Sequence, residues 1–238
     1  MIDPIAPPQR LEQLLSACQM SSEYGPGFHT RPGTAVDLGA YDAYLGRWSR
    51  LFVTSVLRAA HVSVGYRILD VATGPGEAAL LALPATAPHG RVVGVDIAEP
   101  MLVAARHRVD NSAFCCVVAD AQALPFGNSC FDAVVCQLSL MFLPDPGIYE
   151  KHLKELLLGA GFSDVVVERQ QRQDTLESFA AYWQTVENGV GMLPQAYRAL
   201  PPDNQREVRN EVHAELAKYV SNGHLELGLE TLIGAGRA

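Results

Sequence analysis

The 238-residue chain is short of positive charge: 18 Lys and Arg stand against 26 Asp and Glu, a net charge of −8. That balance argues against binding along a phosphate backbone, which needs clustered cations. The short basic runs Arg47–Arg50 and Arg106–Arg108 read as solvated helix faces. Long apolar runs are missing too, since no stretch reaches the ~18 residues of a membrane span. The opening Met1-Ile2-Asp3-Pro4 lacks the basic-then-apolar order of a secretory signal, so a soluble cytoplasmic protein is expected. Cysteine is sparse and odd in number: Cys18, Cys115, Cys116, Cys130 and Cys136, without metal-ligand spacing. Reduced, mostly buried thiols are expected rather than zinc or arsenic ligands, and no metal centre is anticipated. What the chain has is length enough for one large domain or two small ones, and a hydrophobic fraction of 48% that supports a globular core.

The most informative segment is Arg67–Glu77, R-I-L-D-V-A-T-G-P-G-E. An apolar run ends in a carboxylate, Asp70. Two glycines, Gly74 and Gly76, follow, and then the alanine-rich Ala78–Leu83. Strand, glycine turn and helix together bring backbone N–H groups close to a ligand at a helix N-terminus. An acid on the strand side suits a ligand that is cationic or donates hydrogen bonds.

Around this segment the pattern organises itself. Leu11, Leu14, Leu15 and Cys18 repeat at helical spacing, and the Gly- and Pro-rich Ser21–Gly33 reads as a loop. Tyr41, Tyr44, Leu45, Trp48, Leu51, Phe52 and Val56 mark a second helix. Strands are expected at Tyr66–Val71, Arg91–Val95, Phe114–Val118 and Phe131–Cys136. Helices alternate with them at Glu77–Leu83, stopped by Pro84, and at Glu99–Val109, with Pro100 in its first turn. Past Pro144-Asp145-Pro146, a helix over Ile148–Leu158 leads to a strand at Ser163–Arg169. Asp174 or Thr175 could cap a helix running to about Glu187, and Asp203 another reaching about Val220. Leu225–Ile233 reads as a final strand. The alternation predicts an α/β fold with an open, doubly wound parallel sheet, whose ligands sit beyond the carboxyl ends of the strands. Asp70, Asp96 and Asp120 all fall at such ends.

Two cofactors compete for the turn. Gly74-Pro75-Gly76-Glu77-Ala78-Ala79 fits G-x-G-x-x-A, and Asp96 lies 22 residues after Gly74, as a nicotinamide dinucleotide would require. Asp70, however, would face a pyrophosphate badly and suits an ammonium group. A third strand ends in Ala119-Asp120-Ala121, with Leu124-Pro125-Phe126 and Phe131-Asp132-Ala133-Val134-Val135 beyond. The ordered set I-L-D-V-A-T-G-P-G-E, V-V-G-V-D-I-A-E-P-M-L, V-A-D-A-Q-A-L-P-F and F-D-A-V-V-C-Q-L-S-L-M-F-L-P-D-P resembles the class I S-adenosylmethionine-dependent methyltransferases. It is similar to their bacterial small-molecule branch, related to the ubiquinone/menaquinone-biosynthesis enzymes. Tyr41–Ser49 resembles the helix that precedes the core in that branch, and Leu157–Val167 its penultimate strand unit.

The resemblance implies roles. Asp70 and the Ala72–Gly76 turn, with Thr73 and Gly74, would hold the methionine end of S-adenosylmethionine. Asp96 would accept from both ribose hydroxyls, with Ile97 and Met101 beside it. Asp120 would accept from the adenine amino group, with the Ala121 N–H facing the ring. Gln137 would lie near the sulfonium and the acceptor, and Tyr41, Tyr44, Trp48, Ser139 and Met141 would border the substrate. Ala72 stands where the family has its first glycine. Each role has a plainer alternative: Asp70 or Asp96 as a helix cap, Asp120 as a turn residue, Gln137 as a partner for buried backbone, and Tyr41, Tyr44 and Trp48 as a core stripe. No general base stands out; His29 and His152 read as solvated or capping residues.

The chain also departs from the family pattern. After the fourth strand the family has a helix, a segment like R-x-L-x-P-G-G and a fifth strand; here Pro146-Gly147 leads directly to Ile148–Leu158. The expected fold is therefore a Rossmann-like methyltransferase sheet, shortened, with N-terminal helices over 1–60, a core over 61–238, a C-terminal antiparallel strand and a helical cover at about 174–220. Loss of an interior strand exposes backbone edges. The remaining strands close up, a second subunit in a homodimer supplies the pairing, or the sheet stays defective. The function implied is methyl transfer to a small-molecule acceptor, with no nucleic-acid or membrane partner. A cofactor-binding protein that no longer methylates, and a nicotinamide-dependent oxidoreductase, are the alternatives.

Overall fold

The computed structural model describes residues 36–139, 153–190 and 192–238. The helix expected over Leu11–Cys18, the loop Ser21–Gly33, His29, Met141, His152 and the first part of the Ile148–Leu158 helix lie outside these residues. Two compact units form. Of the described residues, one holds 36–38, 49–139, 153–168 and 232–238; the other holds 39–48, 169–190 and 192–231.

The first unit is built on four parallel strands, β1 (Arg67–Val71), β2 (Arg91–Asp96), β3 (Phe114–Val118) and β4 (Ala133–Cys136), in the order β3-β2-β1-β4. In register, Asp70 lies opposite Gly94 on one side and Val135 on the other, and Gly94 in turn opposes Cys116. β1 therefore has a hydrogen-bonded neighbour on each side, and four of its five residues are buried. Its side chains alternate between two apolar clusters. Ile68 packs with Val53 and Leu57, with Ala78, Ala79 and Ala82, and with Val92, Ala105 and Val109. Leu69 and Val71 pack with Val95, Leu124, Phe126 and Phe131. Full burial of Ile68 and of Leu69 contributes about 1.5–3 kcal/mol each.

Three helices serve this sheet: α2 (Arg47–Ala59), which begins in the other unit, α3 (Glu77–Thr86) and α4 (Glu99–Arg108). Pro84 is expected to stop α3 at Leu83, but the helix continues to Thr86 with Pro84 inside it. Pro84 is exposed, and the Thr86 hydroxyl donates to the carbonyls of Ala82 and Leu83, so the last turn is held by bonds that need no Pro84 N–H. α5 (Leu153–Gly159) follows the undescribed stretch.

Two longer strands depart from expectation. β5 runs from Ser163 to Leu176, seven residues past Arg169, and β7 from His224 to Arg237. With the short β6 (Val220–Ser221) they form a separate sheet of order β5-β7-β6. Arg169 and Gln171 reach Glu230, and Gln173 reaches Glu226. These cross-strand partners run in opposite directions, so β5 and β7 are antiparallel. Among the described residues none of these strands pairs with β4, whose Val134 is 57% exposed. Among the described residues the parallel sheet has four strands, and the later strands do not pair with it.

In the second unit, α1 (Leu38–Tyr41) passes through a π-helical turn, Asp42–Gly46, into α2. α6 (Phe179–Asn188), α7 (Met192–Ala199) and α8 (Pro202–Leu216) follow, and a 3₁₀ turn covers Ala217–Tyr219. The helix expected from Asp174 or Thr175 starts later. Ser178 is its cap, accepting from the Ala181 N–H at 3.1 Å, because Asp174 is engaged within β5. Asp203 sits in the first turn of α8 and Pro201 takes the cap position. The core here is aromatic: Tyr44, Trp183 and Tyr197 pack with Leu176, Val186, Val212, Leu225 and Leu227.

Candidate functional site

The carboxyl ends of β1, β2 and β3 lie side by side, and hydrogen bonds tie them to the glycine turn. The Thr73 N–H donates to the Val95 carbonyl at 2.9 Å, the Gly74 N–H to Asp96 Oδ2 at 2.9 Å, and the Ala119 N–H to the Asp96 carbonyl at 3.1 Å. The turn bends through left-handed backbone at Ala72 (φ 54°), Gly74 (53°) and Gly76 (86°). Gly76 has a second reason to lack a side chain, since a Cβ there would meet Val109 Cγ2 at 2.7 Å. The conformation of Ala72 costs about 1–2 kcal/mol.

Asp70 is 2% exposed and lies beneath this turn. Its Oδ2 accepts from the Thr73 hydroxyl at 2.6 Å. Burial pushes its carboxyl from 3.8 up to about 7; the Thr73 and Ala79 donors oppose that rise, and the neighbouring Asp96 adds to it. Thr73 reaches Asp70 because Gly94 leaves room: a Cβ on Gly94 would meet Thr73 Cγ2 at 2.8 Å.

Asp96 is also raised by burial, against the N–H groups of Ala98, Gly74 and Ile97. Oδ2 takes Gly74 and Oδ1 takes Ala98 at 2.9 Å. With the Ile97 N–H also acting on this carboxyl, three donors meet it and acceptor capacity remains for a ligand hydroxyl. Ile97 beside it is 46% exposed, an apolar platform, whereas Met101 is buried within α4. Asp120 is half-buried and oriented by its own turn, Oδ1 accepting from the Gln122 N–H at 2.7 Å. Ala121 packs in the cluster of Leu69 and Val71.

At the end of β4, Gln137 Nε2 donates to the Ser49 carbonyl at 2.6 Å, and its Oε1 is enclosed without a hydrogen-bond partner among the described residues. Ser139 Oγ and Cys136 Sγ are 2.8 Å apart. The donor and acceptor set at these strand ends, with one amide oxygen lacking a donor among the described residues and three carboxyls, fits a ligand that combines a diol with cationic groups.

Tyr41, Tyr44 and Trp48 belong to the other unit. There Tyr44 and Trp48 lie 5.2 Å apart. Trp48 Nε1 donates to Asp174 Oδ2 at 3.1 Å, and Arg47 Nη2 to Asp174 Oδ1 at 2.6 Å. Burial, and next the neighbouring Tyr182, push the Tyr44 hydroxyl well above its usual range.

Two features at the turn escape sequence reasoning. Glu77, the first residue of α3, is buried and pairs with Arg50 of α2 at 2.9 Å and with Arg108 of α4. No local pattern marks that triad. Gly94 does carry a signal, a glycine inside an apolar strand, which marks close approach of another group.

Comparison with known proteins bears on this arrangement. A profile described as a methyltransferase domain matches residues 68–157. The demethylmenaquinone methyltransferase of Roseiflexus sp. (strain RS-1) is 30% identical over 202 residues, which cover 83% of this chain and 80% of that protein. The demethylmenaquinone methyltransferase of Thermus thermophilus is 41% identical over 126 residues, 51% of this chain and 54% of that protein. The ubiquinone/menaquinone biosynthesis C-methyltransferase of Xanthomonas oryzae pv. oryzae is 34% identical over 131 residues, 51% and 50%. The chain thus spans about half the length of two of these relatives and four fifths of the third.

Proposed function

Because the chain belongs to the class I S-adenosylmethionine-dependent methyltransferases and S-adenosylmethionine is its cofactor, we propose that it transfers a methyl group to a small-molecule acceptor. The observation that carries this reading is Asp96, which ends β2 held by backbone N–H groups on both oxygens and keeps acceptor capacity for a hydroxyl donor.

In the proposed site Asp96 accepts from the two ribose hydroxyls and Asp120 from the adenine amino group. Ile97 and Ala121 flank the ring. The Ala72–Gly76 turn and Asp70 receive the methionine end. Gln137 is placed for the reacting end, because its Oε1 still seeks a donor. When bound, S-adenosylmethionine supplies a methyl already activated by its sulfonium. The chain then has to hold the acceptor in line and exclude water. The names of the relatives make a demethylmenaquinone-like acceptor the first to assay. The net charge of −8 supports an acceptor other than nucleic acid. No helix among the described residues is long and apolar enough to cross a membrane. The cytoplasmic setting expected from the sequence is part of this proposal.

Titration calorimetry against S-adenosylmethionine and a nicotinamide dinucleotide tests the reading. S-adenosylmethionine should bind to the wild type and not to Asp96→Ala; preference for the dinucleotide would overturn it. A second reading, binding without turnover, is favoured by the uncovered outer edge of β4 among the described residues. Tight binding with no S-adenosylhomocysteine released across an acceptor panel would select it.

A further inference from the structure

The polar atoms of the aromatic cluster in the second unit are unequally served. Trp48 Nε1 donates to Asp174, and the Tyr197 hydroxyl to the Gln205 carbonyl at 3.4 Å. Trp183 is 2% exposed, yet its Nε1 has no hydrogen-bond partner among the described residues. Nor does any hydrogen bond among the described residues engage the hydroxyl of Tyr44 or of Tyr182. A buried donor left unpaired is costly, and folds rarely keep one without a reason. Tyr44 sits in the π-helical turn Asp42–Gly46, an irregularity kept mostly at functional sites.

Aromatic rings surround this N–H. Phe179 stacks on Trp183 with centroids 5.6 Å apart and planes at 21°, and Tyr197 meets it edge to face at 5.2 Å and 88°. Tyr182, on the same helix, lies 6.2 Å from Phe179. Trp183 and Tyr44 are buried, whereas Trp48, Phe179 and Tyr182 are only half-buried, so the cluster has a side that reaches solvent. We propose that this cluster is a binding site for an uncharged, flat ring that carries an acceptor oxygen, and that the Trp183 N–H receives that oxygen. Ring faces also attract cations. The indole N–H, however, is a donor only, so the ligand it meets has to bring a lone pair. Arg47 and Asp174, the ion pair beside the cluster, already satisfy each other and leave a neutral ligand favoured. The Tyr44 and Tyr182 hydroxyls, which donate or accept, suit a second oxygen on the same ring. The proposal goes beyond the methyltransferase reading above and stands or falls separately from it.

Indanone, indane and phenyltrimethylammonium are suitable probes: a ring with a carbonyl, the same ring without it, and a ring with a cation. The chain has two tryptophans, so the isotope-labelled protein gives two indole N–H signals in solution, which Trp48→Phe assigns. Indanone should move the Trp183 signal downfield as its carbonyl is engaged and leave the Trp48 signal, already bonded to Asp174, in place. In calorimetry indanone should bind about tenfold more tightly than indane, the worth of one hydrogen bond, and more tightly than the cation. Trp183→Phe keeps a ring, removes the donor and should bring the indanone and indane affinities together. If that variant does not fold, the signals and affinities of the wild type decide. No binding of indanone, tighter binding of the cation, or equal affinities for indanone and indane in the wild type overturns the proposal. So does a Trp183 signal that indanone and indane move alike, the result expected if its N–H already rests on the Tyr197 ring. So, too, does an indanone preference that survives in Trp183→Phe. S-adenosylmethionine is titrated into the same samples, and its binding alongside any of these results leaves the methyltransferase reading intact.

Discussion

The triad of Glu77, Arg50 and Arg108 makes a quantitative prediction, because its two arginines differ in exposure. The Glu77 side chain is 6% exposed and Arg108 15%, whereas Arg50 is 43% exposed. Both arginines meet the same oxygen, Oε1. Removing one partner of a buried ion pair costs about 3–5 kcal/mol, because a charge is left desolvated. After Arg108→Met, Glu77 keeps Arg50, so about 3 kcal/mol is expected. After Arg50→Met it keeps its buried partner, and the lost contact was largely open to water, so about 1 kcal/mol or less is expected. Glu77→Gln removes the carboxylate from both arginines, of which Arg50 already reaches solvent; about 2 kcal/mol is expected. A double-mutant cycle between Arg108→Met and Glu77→Gln should show coupling of about 1–2 kcal/mol, since the second change costs little once the pair is gone. Urea unfolding at neutral pH measures all four species. Equal losses for the two arginines, or strict additivity in the cycle, would refute the assignment of Arg108 as the partner that matters.

Three further predictions concern the turn. The Asp70 carboxyl binds its proton more tightly in the fold, at about 7 against 3.8, so stability from this group is full below about pH 4 and falls by about 4 kcal/mol as pH rises through 7. Urea midpoints of the unliganded wild type should drop over that window and those of Asp70→Asn should drop much less; parallel profiles would remove the cause. Gly94→Ala should destabilise by about 1–3 kcal/mol and weaken S-adenosylmethionine binding, since its Cβ would displace Thr73; unchanged affinity in calorimetry would show that the Thr73 position does not matter. Ala72→Gly should be neutral or stabilise by up to about 1 kcal/mol in thermal unfolding, because relief of the left-handed backbone outweighs the added freedom of the unfolded chain; a clear loss would contradict that balance.

Much of the parallel sheet was legible because its strands are apolar runs bounded by turn residues and ended by Asp70, Asp96 and Asp120. The helix-to-strand alternation set their direction, and Arg67–Val71 and Phe114–Val118 fell within a residue of their expected bounds. Legibility failed where a distant partner, rather than a local pattern, makes the element. Residues 170–173 read Gln-Gln-Arg-Gln and show no apolar alternation; they are strand because β7 offers Glu226 and Glu230 opposite them. Asp174 looks like a cap because Asp caps helices, but Arg47 and Trp48, far back in the chain, claim its carboxylate. α7 falls in the stretch between Glu187 and Pro201, for which the sequence suggests no element. At the site, the aspartates were visible and their burial was not. Nothing in the sequence says that Asp70 lies under Thr73 or that Glu77 meets two arginines.

The turn proposed to grip the cofactor grows out of β1, which like β2 has partners along both edges. Such a strand is among the last places where a domain opens, so its amides should be among the slowest to exchange with deuterated solvent. β4, held from one side only among the described residues, should exchange sooner. The proposed cofactor cradle would thereby be mounted on one of the two inner strands of the sheet and would keep its shape between turnovers. Plasticity is left to the β4 border, where different acceptors could be accommodated without loosening the grip on the nucleoside.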